Sequence, residues 1–364
     1  MAEQDSQSLP RFTAPAAKIL VVDDLPTNLR MVKTLINPCG VRMFVSLSGK
    51  QAIEMVQKEQ FDLVLMDQMM PEMDGMEATR IIREELDCDY ARNIPIIALT
   101  ADSEANSEEK FLGKGFQAFL SKPIDPMKLD SILCLWVRDS ERESLTASMP
   151  MHNAEAEPGK TGQTAEEEIP RIEGIDWQAG LNYFIENRDA YLSIIRSYVD
   201  STSRIIAKIC NVTEETLADY AIHIHGIKGS SYGIKACEIG KQAEELEHAA
   251  KAGNFRLVSQ NTPLFVENAQ KLLNALSSLL KPDTPDIKPV KHAPNEALLD
   301  QMEEAAANFK IDELEDIIKS LERFKYETQA ELIAWLREKV DQMEFLPIHE
   351  RLAQRKQETA GDKK

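Results

Sequence analysis

The sequence predicts an α/β doubly wound five-stranded parallel sheet in its first third. An all-α helical bundle and a small helical C-terminal segment come after it. Three observations carry this reading. Short, continuous apolar runs alternate with helical patterns as far as Val137, the signature of parallel strands covered on both faces. From Ile172 onward the apolar residues fall at three- and four-residue spacing instead. Two polar stretches, residues 140–170 and 281–296, lack apolar period and separate the parts.

In chain order, residues 1–17 are polar with Pro10 and Pro15 and predict a flexible leader, so order is expected from Lys18. Strand-length runs KILVVDD, RMFVSLS, FDLVLMD, IPIIALT and AFLSKP then alternate with helical patterns near 27–37, 50–58, 75–86, 107–113 and 127–137, giving five β/α units over residues 18–139. The acidic stretch 140–170 is expected to be a flexible tether, with a root-mean-square reach of roughly 30 Å. Helices are expected near 176–186, 189–210, 213–232, 235–252 and 254–280, which suits a bundle spanning 171–280. After the proline-rich hinge at 281–296, three amphipathic patterns over 297–346 predict a small helical unit, and 347–364 reads as a charged tail. Its expected core is Leu298, Met302, Leu314, Ile317, Ile318, Leu321, Leu332, Trp335, Leu336 and Val340.

Composition narrows the function. The chain of 364 residues exceeds one compact core, and its formal net charge of -19 opposes nucleic-acid phosphates, so nucleic acid is not an expected partner. No apolar run is long enough to span a membrane and the N-terminus has no hydrophobic signal core, which predicts a cytoplasmic protein. Five cysteines without C-x-x-C spacing argue against zinc and disulfides and predict buried, reduced thiols.

Parallel sheets place their sites at the carboxyl ends of strands. Asp23 and Asp24 close the first strand, Asp67 the third, Thr100 the fourth and Lys122 the fifth. Converging carboxylates repel one another unless a cation is present, and an all-oxygen set suits Mg²⁺. Lys122 and the Thr100 hydroxyl could then contact oxygens of a phosphoryl group on Asp67, since such transfer is achieved mainly by positioning and charge neutralisation. Taken singly, these residues have ordinary readings as helix caps or loop positions; together they point to a site.

The motifs VVDD, MDQMMPEMDG, ALTA and FLSKP resemble the receiver domain of two-component signalling, whose fold is flavodoxin-like, over about Lys18 to Val137. The resemblance implies phosphorylation at Asp67 and a metal site made by Asp23, Asp24, Asp67 and the backbone carbonyl of Met69. It places Thr100, Lys122 and the aromatic Phe119 in catalytic and switching roles. The wording DQMMPEMDGMEATR and SKPIDPMKLDSIL is most similar to receivers attached to hybrid sensor kinases.

The stretch AIHIHGIKGSSYG, Ala221 to Gly233, predicts a helix on which Lys228, Gly229 and Tyr232 share a stripe with His225. Glycine in mid-helix costs about 1 kcal/mol relative to alanine, and Gly229 would let a partner approach the imidazole. Lys228 supplies a cation, Ser230 and Ser231 hydroxyls, while His223 faces nearly the opposite way. The pattern H-x-x-K-G-S-S, with the IDWQAGLNYF opening, resembles histidine-containing phosphotransfer (HPt) domains over about 172–280. That resemblance implies His225 as the phosphorylated residue, supported by Lys228 and Gly229. With no carboxylate expected beside His225, the bundle reads as a passive carrier.

The expected function is phosphorelay signal transduction through Asp67 and His225, with histidine kinases or other receivers as partners and internal exchange between the two sites open. No ATP-binding motif is visible, so the chain is not expected to be an autonomous kinase. Two alternatives stand. One is the C-terminal part of a hybrid sensor histidine kinase, against which the Met1 start and polar leader weigh mildly; the other is a non-phosphorylated interaction scaffold. The segment 297–346 is read equally as a docking or dimerisation module and as a self-contained helical unit.

Overall fold

The computed structural model describes residues 12–100, 113–137, 172–184, 187–280 and 288–361. The first part is a parallel sheet of β1 (Lys18–Val22), β2 (Arg42–Ser46), β3 (Leu63–Asp67), β4 (Ile96–Thr100) and β5 (Ala118–Ser121), in the order β2-β1-β3-β4-β5. Every residue of β3 and β4 is buried, as their unbroken Leu, Val and Ile require when helices cover both faces. Around the sheet lie α1 (Pro26–Ile36), α2 (Gly49–Lys58), α3 (Gly75–Glu84), the short α4 (Asp89–Asn93) and α5 (Pro126–Trp136). Local chemistry sets their starts. Ser48, Asp74 and Asp125 each accept backbone N–H bonds as N-caps, and Pro26 and Pro126 open α1 and α5. Helix α4 has no counterpart among the helices expected from the sequence, and the helix expected near 107–113 lies almost wholly outside the described residues, as does the tether.

The bundle consists of α6 (Trp177–Tyr183), α7 (Arg188–Ile209), α8 (Leu217–Gly233), α9 (Cys237–Lys251) and α10 (Phe255–Leu279). Asp176, Asn187 and Asn254 cap α6, α7 and α10, and Gly253 takes a positive φ of 71° in the turn before α10. Trp177, Phe184 and Tyr191 pack ring to ring at one end. Helix α8 departs from the amphipathic expectation. Its buried residues include Tyr220, Ile224, His225, Ile227, Lys228 and Ser231, distributed around the helix, because α8 is packed by its own bundle and by α1.

The C-terminal unit comprises β6 (Val290–Lys291), α11 (Glu296–Ala307), α12 (Ile311–Glu322), β7 (Lys325–Tyr326), α13 (Ala330–Asp341) and α14 (Phe345–Gly361), with β6 and β7 paired in parallel. Residues 347–361 therefore continue as helix where a tail was expected, and Ile348 and Leu352 are buried. Leu298 and Trp335 are half-buried, Leu299 taking the core place expected of Leu298.

Two further expectations are corrected. The end of the supposed leader is part of the fold: Phe12, Ala14 and Ala17 are buried, and Ala14 N–H donates to the Cys39 carbonyl at 2.8 Å. All five cysteines are free thiols, but only Cys39 is buried; Cys88, Cys210 and Cys237 are exposed.

The three parts pack together. One apolar cluster runs from the α1 side of the sheet through the bundle into the C-terminal unit. Helix α1 is its common element, lying against α7 and α8 and bonded to α12 and α13 through Arg30 and Lys33.

Candidate functional site

Three carboxylates meet at the carboxyl edge of the sheet. Asp23 and Asp24 come directly after β1 and Asp67 ends β3; each offers an oxygen within 4.8 Å of the others. Asp23 is fixed by its surroundings, accepting from Leu25 N–H at 2.9 Å and from Asn28 Nδ2 at 3.0 Å. Lys122, beyond β5, reaches back between the acids: its Nζ lies 2.7 Å from Asp23 Oδ2 and 2.9 Å from Asp67 Oδ1. The Lys122–Pro123 bond is cis.

Gly75 lets the chain cross this edge. A Cβ there would stand 2.0 Å from the Asp67 carbonyl oxygen, so only glycine allows α3 to begin directly over the end of β3. Thr100 is buried at the end of β4, and its Oγ1 donates to Gln68 Oε1 at 2.8 Å. Met69 lies in the loop just after β3. Phe119 is half-buried in β5, in register with Ala98 and against the apolar cluster on that face of the sheet.

The electrostatics fit a cation. Burial, then the charges of Asp23 and Asp67, pushes Asp24 up to about 8. Burial pushes Asp67 up to about 6 against the opposing pull of Lys122. Burial opposes the charge of Lys122, but Asp23 and Asp67 outweigh it and hold Lys122 above the usual lysine range. One ammonium thus does not neutralise three acids, and a divalent ion bound by their oxygens would.

The bundle brings the second predicted site to the same place. His225 on α8 is 4% exposed and Asp67 2% exposed, and the imidazole lies near enough for its charge to bear on the Asp67 carboxyl. Beside His225 opens a cavity of about 360 Å³ lined by Ser121, Lys122, Pro123, His225, Lys228 and Gly229, with Tyr232 and Glu244. Gly229 faces Lys122, whose Cδ would be 3.9 Å from a Cβ at that position. The tighter approaches are at glycines that no sequence motif singles out. A Cβ at Gly226 would meet Leu25 Cδ1 at 2.7 Å, and one at Gly233 would meet Met31 Sδ at 2.4 Å. Thr27 adds hydroxyl contacts to Ser197 and Ser201 at 3.3 and 3.4 Å, and the Tyr183 hydroxyl donates to the Ile124 carbonyl.

His225 does have a carboxylate partner, contrary to expectation. Glu247 on α9, 1% exposed, sits 2.7 Å from His225 Nδ1 and 2.7 Å from Lys228 Nζ, and Lys251 Nζ reaches it at 2.6 Å. Burial would raise the Glu247 pKa, but His225, Lys228 and Lys251 prevail and hold it well below the usual range. Glu247 lies 22 residues from His225 in an ordinary acidic helix, so spacing along the chain carries no signal of the pair. Ser230 and Ser231 are turned away, donating to the Gly226 carbonyl and pairing with the Tyr198 hydroxyl respectively. His223 is half-buried on another face, its pKa lowered first by burial.

Comparison with known proteins locates part of this assembly. The sensor protein GacS of Pseudomonas syringae pv. syringae is 39% identical over 127 residues, 35% of this chain and 14% of that protein. The signal transduction histidine-protein kinase BarA of Escherichia coli (strain K12) is 28% identical over 220 residues, 59% of this chain and 22% of its own length. The chain therefore spans under a quarter of these relatives. Among solved structures, the receiver domain of a sensor histidine kinase from Pseudomonas aeruginosa PAO1, with a magnesium ion coordinated in its active site cleft, is 34% identical, covering 33% of this chain and 97% of that one, at a TM-score of 0.31. Among the described residues no helix is long and apolar enough to cross a membrane. The family model for the response regulator receiver domain matches residues 19–133, and this segment is a receiver domain of two-component signal transduction.

Proposed function

We propose that the chain is a phosphorelay protein in which Asp67 and His225 carry a phosphoryl group in turn and exchange it within one molecule, residues 172–280 acting as an HPt domain. One observation supports this above the rest: His225 is buried against the receiver of its own chain, sharing a cavity with Lys122 and close enough to Asp67 to bear on its carboxyl. The length of the alignment with BarA, greater than the receiver segment, agrees with relatedness beyond the receiver.

In this reading Asp23, Asp24, Asp67 and the Met69 carbonyl hold Mg²⁺, which when bound neutralises charge on the phosphoryl oxygens. Asp67 is the acceptor carboxylate, and Lys122 neutralises a further oxygen. Thr100 leaves Gln68 to donate to another, and Phe119 moves with it. His225 keeps its proton on Nδ1, where Glu247 accepts it, so Nε2 presents the lone pair. The bond from phosphorus to the Asp67 oxygen breaks as the bond to Nε2 forms, and Asp67 recovers its carboxylate charge. Lys228 steadies the transferred group, and Gly229 keeps the approach open beside Lys122. The initial phosphoryl group comes from a histidine kinase, either a separate protein or further sequence joined to this one.

Incubating the full chain with a small-molecule phosphodonor and Mg²⁺ tests this. Acid-labile, alkali-stable label is expected on His225. It is expected to vanish in Asp67→Asn, and His225→Gln is expected to retain label on Asp67. Label confined to Asp67 in the wild type would refute internal exchange.

A further inference from the structure

The C-terminal unit has no part in that chemistry, yet it is bonded to the helix on which the two carriers meet. Arg30 and Lys33, one turn apart on α1, are both buried, at 7% and 8% exposure. Among the described residues their carboxylate partners all belong to the C-terminal unit. Arg30 pairs with Glu315 at 3.0 Å and Asp341 at 3.2 Å, and Lys33 with Glu315 at 2.8 Å and Asp312 at 2.9 Å. Arg30 also donates to Ser193 of α7 at 3.3 Å and to the Val340 carbonyl at 3.3 Å, so one guanidinium joins receiver, bundle and C-terminal unit.

We infer that α12 and α13 form an electrostatic latch: Asp312, Glu315 and Asp341 capture Arg30 and Lys33 and thereby hold the bundle closed over the receiver site. Its effect is to choose between two uses of the carriers. Closed, Asp67 and His225 face each other and are shielded from other proteins; open, each is available to a separate partner. Within the apolar contact that joins the three parts, two features make the charges the switchable component. The junction borders an open cleft of about 1170 Å³ in which further charged groups, Arg196, Lys319 and Arg337 among them, stand beside Phe184, Leu192 and Ile194. Removing the acids would also leave Arg30 and Lys33 buried without counter-charge, which the closed state does not tolerate.

The test uses the full chain with diethyl pyrocarbonate modification of His225, followed peptide by peptide. Arg30→Glu and Glu315→Arg are each expected to speed modification on the order of tenfold, and the near-isosteric Glu315→Gln to speed it by a smaller factor. Helicity by circular dichroism, expected to be unchanged in all three variants, separates lost pairing from lost folding. Unchanged modification in both charge-reversed variants would overturn the latch. The shift from internal to external exchange rests on the proposed relay and is read separately. Arg30→Glu, placed in an Asp67→Asn chain, should accept label from phosphorylated His225→Gln chains about tenfold faster than the parent. Absence of any Asp67-to-His225 transfer in the wild type, with latch behaviour intact, refutes the relay and leaves the latch; normal transfer with no latch behaviour does the reverse.

Discussion

At the residue scale, burial together with neighbouring carboxylates raises two of the receiver's acids. Asp24, raised to about 8, and Asp67, raised to about 6, retain protons that a bound Mg²⁺ must displace. Mg²⁺ affinity is therefore expected to fall as pH drops below about 8, by about tenfold per pH unit for each proton displaced. Calorimetry in two buffers of different ionisation enthalpy would report the released protons; a pH-independent affinity would contradict the assignment. Linkage gives the companion sign. Folded-state carboxyl pKa values above their unfolded values mean the folded state binds more protons, so without metal the chain loses stability as pH rises from about 4 towards 8. In the bundle, Glu247→Ala leaves His225 and Lys228 buried without their carboxylate. It is expected to lower stability by about 3 kcal/mol in urea titration and to free the His225 tautomer, visible as a change in its ring nitrogen shifts. Glu247→Gln keeps a hydrogen-bond acceptor and should restore the tautomer while recovering only part of the stability.

At the scale of elements, the site depends on backbones crossing at close range. Gly75→Ala would press a methyl group onto the Asp67 carbonyl and force α3 away from β3, an overpacking expected to cost about 1–3 kcal/mol. A melting temperature lowered by several degrees, with Mg²⁺ binding weakened in the same variant, would check it; an unchanged melting temperature would show that α3 yields freely. Boundaries at this scale are largely legible in the chain. The strands lie inside the apolar runs that predict them, and α7 and α10 fall within a residue or so of expectation, because periodicity and caps are local properties. Helix α4 and the helical course of 347–361 escape that kind of reading. The first is five residues long, and the second is rich in charge and stabilised by contacts of Ile348 and Leu352 with distant helices.

At the scale of the molecule, α1 is shared property. It covers the sheet with one side, receives α7 and α8 on another, and presents Arg30 and Lys33 to the C-terminal unit. The sites of receiver and bundle are consequently not independent objects joined by a tether. Whatever the reach of residues 140–170, Asp67 and His225 are positioned by packing: Leu25 and Met31 fill the spaces left by Gly226 and Gly233, and the Thr27 hydroxyl lies against those of Ser197 and Ser201. The C-terminal unit, read from sequence as either a docking module or a self-contained one, docks within its own chain.

Local pattern along the chain suffices for the parallel α/β sheet, for the helical character of residues 172–346, and for the convergence of Asp23, Asp24, Asp67, Thr100 and Lys122 at one sheet edge, since strand ends and their polar residues are set within a few positions of each other. Packing between elements is what makes His225 face Asp67 of the same chain, sets Glu247 against its Nδ1, turns Gly226 and Gly233 into contact points, and bonds α1 to the C-terminal acids. Each of these joins residues on different elements, from 22 to several hundred positions apart, and no periodicity encodes which face of one helix meets which face of another.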